Sequence, residues 1–341
     1  LPIRIADACI RASENLQEAL ISYAQVPCEG IGLNREYDKD APPLKDVLKE
    51  SWRPEKPELT DTECSVLTFH GKDGVMIGFM SYFGCHPVVC CQETRYIHGD
   101  YPGVATNMLE NEYPGAIGLF LQGAQGDVNS CVVHKPEKES LLALDIIAGR
   151  YARAVRLGIN TAKPLRIDSM SFSRRMVKFT RKNMAIEELK QHLSKNESVI
   201  HSPSACAESF DIRMAMVYVG ALRERLAAME SNSITDSAEE LQGLRLGPVA
   251  FLGAPLEIFQ AIKNDVKRLA ESPFTLIMGL TNGSIGYAPD KTTAARGGYA
   301  ADMVPMMMGQ APFKDIHTEL SRELVELERI IREEPGTAAS P

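Results

Sequence analysis

Two apolar runs, residues 65–69 and 75–83, flank Gly71-Lys72-Asp73-Gly74. Glycines at that spacing between strand-forming segments predict a β-hairpin, its second strand running on to His86. Residues 116–121 form a short apolar run that predicts a buried strand, and residues 165–172 and 275–280 predict two more. Residues 244–252 read as a strand pair, or as one bent strand, around Gly247-Pro248. Helical spacing governs the rest. In residues 5–23, Ile5, Cys9, Ile10, Leu16, Ala19 and Leu20 fall broadly along one side. Residues 102–113, with a proline in the first turn, also predict a helix, as do 141–159, 184–193, 207–231, 256–271 and 316–333. A polar, serine-rich connector separates the fourth and fifth of these. Residues 38–60 are rich in Pro, Lys and Glu and read as a surface loop. Helices and strands alternate without a regular βαβ repeat, so the expected fold class is α/β with a mixed sheet rather than a doubly wound one. The expected division is one domain over residues 1–334 and a disordered tail over 335–341.

Composition narrows the function only loosely. With 341 residues, 44% hydrophobic and 24% charged, the chain can bury a large core. A net charge of −8 argues against nucleic acid as a partner, because phosphate backbones are bound by clustered Lys and Arg. No apolar stretch is long enough to span a membrane. The single tryptophan, Trp52, sits in a polar loop and suggests no role.

The eight cysteines lack the spacing of a disulfide scaffold. Cys85, Cys90, Cys91 and Cys131 lie close to the chemistry-bearing segments, which raises a thiolate metal cluster, although no Cys-x-x-Cys spacing supports it. Buried free thiols are the plainer reading, and they lean towards a reducing compartment.

Three polar clusters carry the candidate chemistry: Gly84-Cys85-His86-Pro87, His98-Gly99-Asp100-Tyr101-Pro102-Gly103 and the segment from Gln122 through Gly123, Gly126, Asp127 and Val128 to Asn129. Apolar runs lead into the first and third, and polar groups at the ends of buried strands are where α/β proteins build sites. His86 at a strand end is either a metal ligand or a satisfied buried histidine. Glu257 follows Pro255, a plausible first helical residue, so it either complements a helix dipole or points at a site. Tyr287 and Tyr299 are each presented by glycines, which pack nothing and cost entropy; the alternative is an exposed loop with aromatic lids. Asp100 organises its turn or a neighbouring histidine, with His98 beside it as a substitute ligand, and Asp127 caps the following turn.

Taken in order, these clusters with Gly286-Tyr287 and Gly297-Gly298-Tyr299 resemble the neutral/alkaline ceramidase family, zinc-dependent amide hydrolases, over most of the chain. The resemblance implies that His86, Glu257 and Tyr287 are zinc ligands, that Tyr299 donates to a developing oxyanion, and that Arg35, in an Asn-Arg element, holds a carbonyl oxygen or headgroup. A solvated arginine is the competing reading of Arg35. It implies an N-acyl substrate, a small molecule or a lipid, with sphingolipid metabolism as one setting. In the family a His-Thr-His-type segment precedes the first helix and supplies another zinc histidine. No such segment lies between Leu1 and that helix, so the ligand lies upstream or the metal site is incomplete.

The departures are specific. Asn129 stands where ceramidases carry a serine proposed as catalytic. An amide can hydrogen-bond an oxyanion or a substrate amide but cannot act as a hydroxyl nucleophile, which points to metal-activated water. Leu256 replaces a glycine, Ala300 a glutamate, and the immunoglobulin-like domain that follows the family's catalytic domain is not in this sequence. The expected activity is zinc-dependent amide hydrolysis. Its alternatives are a metal-free binding or structural protein derived from the same fold, and a thiol enzyme using Cys85. Family members are often exported, so the compartment stays open.

Overall fold

The structure, a computed structural model, describes residues 2–38, 42–90, 94, 96–203, 205–233 and 237–334. The expected tail, 335–341, and Cys91 lie outside the described residues.

In chain order the first half carries α1 (Pro2–Glu14), β1 (Leu20–Pro27), β2 (Gly32–Asn34) and a short helix α2 (Leu44–Val47). The hairpin β3 (Glu63–His70) and β4 (Met76–Phe83) follows, then α3 (Asp100–Glu112), β5 (Ile117–Gln122), β6 (Val128–Ser130) and the long α4 (Glu137–Thr161). The second half continues with β7 (Lys163–Pro164), β8 (Met170–Val177), α5 (Ile186–Ile200) and α6 (Phe210–Glu230). Next come β9 (Glu239–Leu246), β10 (Val249–Gly253), β11 (Glu257–Ile258) and α7 (Gln260–Leu269). The chain closes with β12 (Phe274–Met278), β13 (Tyr287–Ala288), α8 (Lys291–Arg296), α9 (Val304–Met307) and α10 (Ile316–Glu333).

Two mixed sheets stack between two helical layers. The first has strand order β5-β4-β3-β1-β7 and the second β12-β10-β9-β8. Alternation along each strand explains the layering. Cys64 and Val66 of β3, with Phe79 and Phe83 of β4, face α3 and α4 in one core. Leu67 and Tyr82 point the opposite way, onto Val249, Phe251 and Leu276 of the second sheet. The far side of that sheet packs Leu241, Ala250 and Leu252 on α7 and α10, through Ile262, Leu320, Leu324 and Leu327. Tyr82 also donates a hydrogen bond of 2.9 Å from its hydroxyl to Ile277 O, tying one sheet to the other.

Each sheet contains one parallel pair bridged by a helix: β4 and β5 through α3, and β10 and β12 through α7. The loops leaving the C-terminal ends of these four strands hold His86, the Gln122–Asn129 segment, Glu257 and Tyr287, the position at which α/β sheets bind ligands.

The expected α/β class with mixed sheets is what the structure has, as are the 71–74 hairpin and the terminal helix α10. Several boundaries differ. The helix expected over 5–23 stops at Glu14, and residues from Leu20 form β1, whose alternation buries Tyr23 against one layer and Ala24 and Val26 against the other. The 116–121 strand is a sheet edge, leaving Ile117 66% and Leu119 50% exposed. The strand expected at 165–172 runs over Met170–Val177, and the one through residue 86 ends at Phe83. Residues 244–252 belong to an antiparallel pair, β9 and β10, turning at Gly247 with φ 54. The polar connector after residue 193 is in large part the continuation of α5.

Candidate active site

Close backbone packing sets the frame. A Cβ on Gly84 would lie 2.8 Å from Ala124 O, and one on Gly126 would lie 2.4 Å from Glu257 O. Glycine at these two positions lets the end of β4, the loop after β5 and the β11 segment touch. Gly126 N donates to Ile258 O at 2.8 Å, and His86 N donates to Val128 O at 2.9 Å. Beneath them Asp61 accepts from Gly84 N at 2.9 Å and pairs with Lys263 at 2.9 Å, both charges buried.

His86 and Glu257 meet on this frame. His86 Nδ1 lies 3.0 Å from Val128 O, and Nε2 lies 2.6 Å from Glu257 Oε2. A carbonyl oxygen only accepts, so Nδ1 carries a hydrogen. In a neutral ring Nε2 is then a lone pair facing a carboxylate oxygen, two acceptors at contact distance. Such a contact holds only as a hydrogen bond with a proton between the two atoms, and both atoms are of types that ligate zinc. Histidine orientation fixed by a backbone carbonyl is also how metal-ligating imidazoles are held. The donor set therefore fits a borderline divalent ion such as zinc.

Glu257 does not lie in the first turn of a helix, as the 256–271 expectation had it. It is half of the two-residue strand β11, paired in parallel with Tyr287, and its N–H donates to Gly286 O at 2.9 Å. Helix α7 begins only at Gln260, whose N–H is accepted by Asp127 Oδ1 at 2.9 Å. Asp127 thus caps a helix remote in sequence rather than its own turn. Its other oxygen accepts from Asn34 at 2.9 Å, and burial pushes its pKa up to about 6 despite these bonds.

Tyr287 is buried, and its hydroxyl pKa is pushed up to about 12 by desolvation; Arg35 opposes the shift and the Glu257 charge adds to it. The Arg35 guanidinium carbon sits 4.9 Å from the Tyr287 ring centre and 5.7 Å from that of Tyr299. The two rings lie 5.8 Å apart, tilted at 59°. Tyr299 follows Gly297 and Gly298, with φ 78 and 112, and opens a π-helical turn over Tyr299–Met303. Only glycine takes up those angles readily, which explains the doublet. Tyr299 is 49% exposed, so its hydroxyl is free to approach a ligand.

Asn129 sits in β6 opposite Leu33 of β2, and the same short ladder leads directly into Arg35, whose N–H donates to Asp127 O at 2.9 Å. Arg35, His86, Asn129, Tyr287 and Tyr299 all line one cleft of about 660 Å³, with Glu257 held against His86. The six residues expected to bind metal or act in catalysis are thus brought together.

Others were not foreseen. Glu36 and Arg296 line the same cleft and form an ion pair joining the loop after β2 to the end of α8. Val88, Val133, His134 and Phe210 complete the lining. Their only sequence signal is adjacency, Glu36 to Arg35 and Arg296 to the glycine doublet.

The second cluster has a different role. Asp100, at φ 51, accepts from Val89 N, Cys90 N and Tyr101 N and so ties Val89 and Cys90 to the start of α3, while its own N–H donates to His98 Nδ1 at 3.0 Å. Donor atoms of Cys90, His98 and Asp100 lie within 4.8 Å of one another. The His98 Nδ1 lone pair and most of the Asp100 lone pairs are already engaged by backbone N–H groups. His98 lines no part of the cleft.

Among the described residues the thiols form no thiolate cluster. Cys85 and Cys131 are buried, and desolvation pushes both pKa values up, that of Cys131 to about 12, so both stay protonated. Cys85 Sγ donates to His86 O at 3.6 Å and does not line the cleft, which removes it as a nucleophile.

No family model and no curated protein sequence matches this chain. Solved structures do. The neutral ceramidase of Pseudomonas aeruginosa superposes with a TM-score of 0.64 at 17% identity, over 99% of this chain and 56% of that one. A ceramidase solved in complex with C2 superposes with a TM-score of 0.66 at 16% identity, over 97% of this chain and 56% of its own. The chain thus has the fold of neutral ceramidases and spans little more than half their length. Among the described residues no helix is long and apolar enough to cross a membrane.

Proposed function

We propose that the cleft is the active site of a zinc-dependent hydrolase that cleaves the amide bond of an N-acyl compound, a small molecule or a lipid. The observation that carries this reading is the convergence of His86, Glu257, Tyr287, Tyr299, Arg35 and Asn129 on one cleft, from loops at the ends of two different sheets. The likeness in fold to neutral ceramidases supports it.

In this reading His86, Glu257 and Tyr287 hold the metal, with any further protein ligand supplied from outside the described residues. The chemistry that zinc supplies when bound in such a site is Lewis acidity, which acidifies a water molecule and polarises a carbonyl. Water is the nucleophile because Asn129 offers no hydroxyl. Its oxygen adds to the carbonyl carbon, the C–N bond breaks, and the amine nitrogen leaves with a proton from that water. Tyr299 donates its hydroxyl to the oxyanion and Arg35 adds its positive charge; one such donor contributes on the order of 3 kcal/mol to the transition state. The Asn129 amide holds the substrate amide in register.

The test is elemental analysis of the protein after zinc is supplied, alongside His86→Ala. Near-stoichiometric zinc that is lost in the variant is the expected result. Protein that takes up no zinc overturns the reading in favour of a metal-free binding protein built on the same fold.

A further inference from the structure

Resting on the amide-hydrolase reading, we propose that the substrate carries a carboxylate next to its scissile amide and that Arg35 recognises it. The substrate class is then an N-acyl amino acid rather than a neutral N-acyl amino alcohol. Arg296 is neutralised by Glu36, and Glu257 is held by His86. His134, the remaining titratable group of the lining apart from the tyrosines, brings no negative charge. Arg35 forms no ion pair with any carboxylate among the described residues, and its Nη2 is shielded from solvent with no acceptor.

The Tyr287 and Tyr299 rings attract the guanidinium by their faces, and Arg35 also hydrogen-bonds the Tyr287 side chain, yet no carboxylate compensates its charge. A half-buried cation with an unmade hydrogen bond is costly in the resting protein, and a transition-state oxyanion exists too briefly to relieve that cost. A ligand carboxylate relieves it for as long as the ligand is bound, because Arg35 lines the cleft and a guanidinium bonds a carboxylate more strongly than a neutral oxygen. The chain carries a net charge of −8, so an attraction for anions is local to this cleft and not a property of the whole surface. Because Arg35 rests on Tyr287, proposed to hold the metal, and on Tyr299, proposed to serve the oxyanion, the anion it reads must lie within a few bonds of the amide. Val88, Val133 and Phe210 supply apolar wall for the acyl chain.

The experiment compares N-lauroylglycine with N-lauroylethanolamine, matched in acyl chain and differing in the acid, on the zinc-loaded protein and on Arg35→Gln. The expected result is a preference for the acid in kcat/KM on the order of tenfold to a hundredfold, the worth of a hydrogen bond to a charged group. That preference collapses towards unity in Arg35→Gln and is partly kept in Arg35→Lys. Equal rates for the two amides, or an unchanged ratio in Arg35→Gln, overturn the inference. Calorimetric binding of the same two compounds separates it from the hydrolase reading. If neither amide is cut, the hydrolase reading falls. Tighter binding of the acid, lost in Arg35→Gln, then still supports the anion site, and equal binding overturns it. Thermal melting of both variants identifies any loss that is only unfolding.

Discussion

His86 Nε2 and Glu257 Oε2 lie 2.6 Å apart although 171 residues separate them in the chain. The contact joins the end of β4 in one sheet to β11, just beyond the end of β10 in the other, and it demands a donor facing the Glu257 carboxylate. Glu257→Gln keeps the shape of the side chain and removes that electrostatic demand. It should lower zinc affinity by more than about a hundredfold, the upper range for losing even an outer-shell partner of a metal ligand. Competition with a chelator of known affinity measures it, and binding unchanged from wild type would remove Glu257 from the ligand set.

Tyr299→Phe removes one hydroxyl from a half-exposed ring and should leave folding intact. If Tyr299 serves the oxyanion, kcat falls on the order of a hundredfold to a thousandfold with KM nearly constant. A change confined to KM would place the hydroxyl on the ground-state substrate instead.

The site glycines give a contrast in stability. Gly126→Ala sets a methyl group 2.4 Å from Glu257 O and 2.8 Å from the Phe259 ring, so it should cost about 1–3 kcal/mol and disturb zinc binding with it. Gly103→Ala, inside α3 with nothing within 4 Å, should raise stability by about 0.5–1 kcal/mol. Chemical denaturation of the two variants checks both signs.

Asp127 couples folding to pH. Its folded pKa, about 6, lies above the ordinary carboxylate value near 4, so the folded chain keeps a proton that the unfolded chain has released. The contribution of Asp127 is therefore fully favourable below about pH 4, declines as pH rises towards about 6, and is constant above that. Asp127→Asn should flatten the stability profile of the protein in this window. A wild-type profile already flat between those values, with the other carboxylates accounted for, would contradict the assignment.

Under Gly84 the Asp61–Lys263 pair has side-chain exposures of only 8% and 6%. Lys263→Met strands a buried carboxylate and should destabilise the chain by about 3–5 kcal/mol. Pairing it with Asp61→Asn should recover part of the loss, though not the full hydrogen bond to Gly84 N.

Much of this was legible in the residues. The 71–74 turn and the regular spacing of α10 stand out because local pattern alone determines them. His86, Glu257, Tyr287 and Tyr299 stand out because glycines and prolines mark the segments that present them, whereas Arg35 and Asn129 are implied only by the resemblance. What was hidden depends on partners distant in sequence. Two residues of β11 are too few to show a period, so Glu257 read as helical until its pairing with Tyr287 was visible. The 20–27 segment carries apolar residues at spacings that suit a helix from one side and a doubly covered strand from both, and only the stacked sheets decide between them. The Glu36–Arg296 pair spans 260 positions and has no local signature.

Because the cleft is composed of strand-end loops from both sheets, neither half of the chain contains it. During synthesis His86, Asn129 and the whole first sheet emerge well before Glu257, Tyr287 and Tyr299. A chain halted anywhere short of Tyr287 therefore lacks the complete cleft. On the hydrolase reading, turnover would report that both sheets are in place.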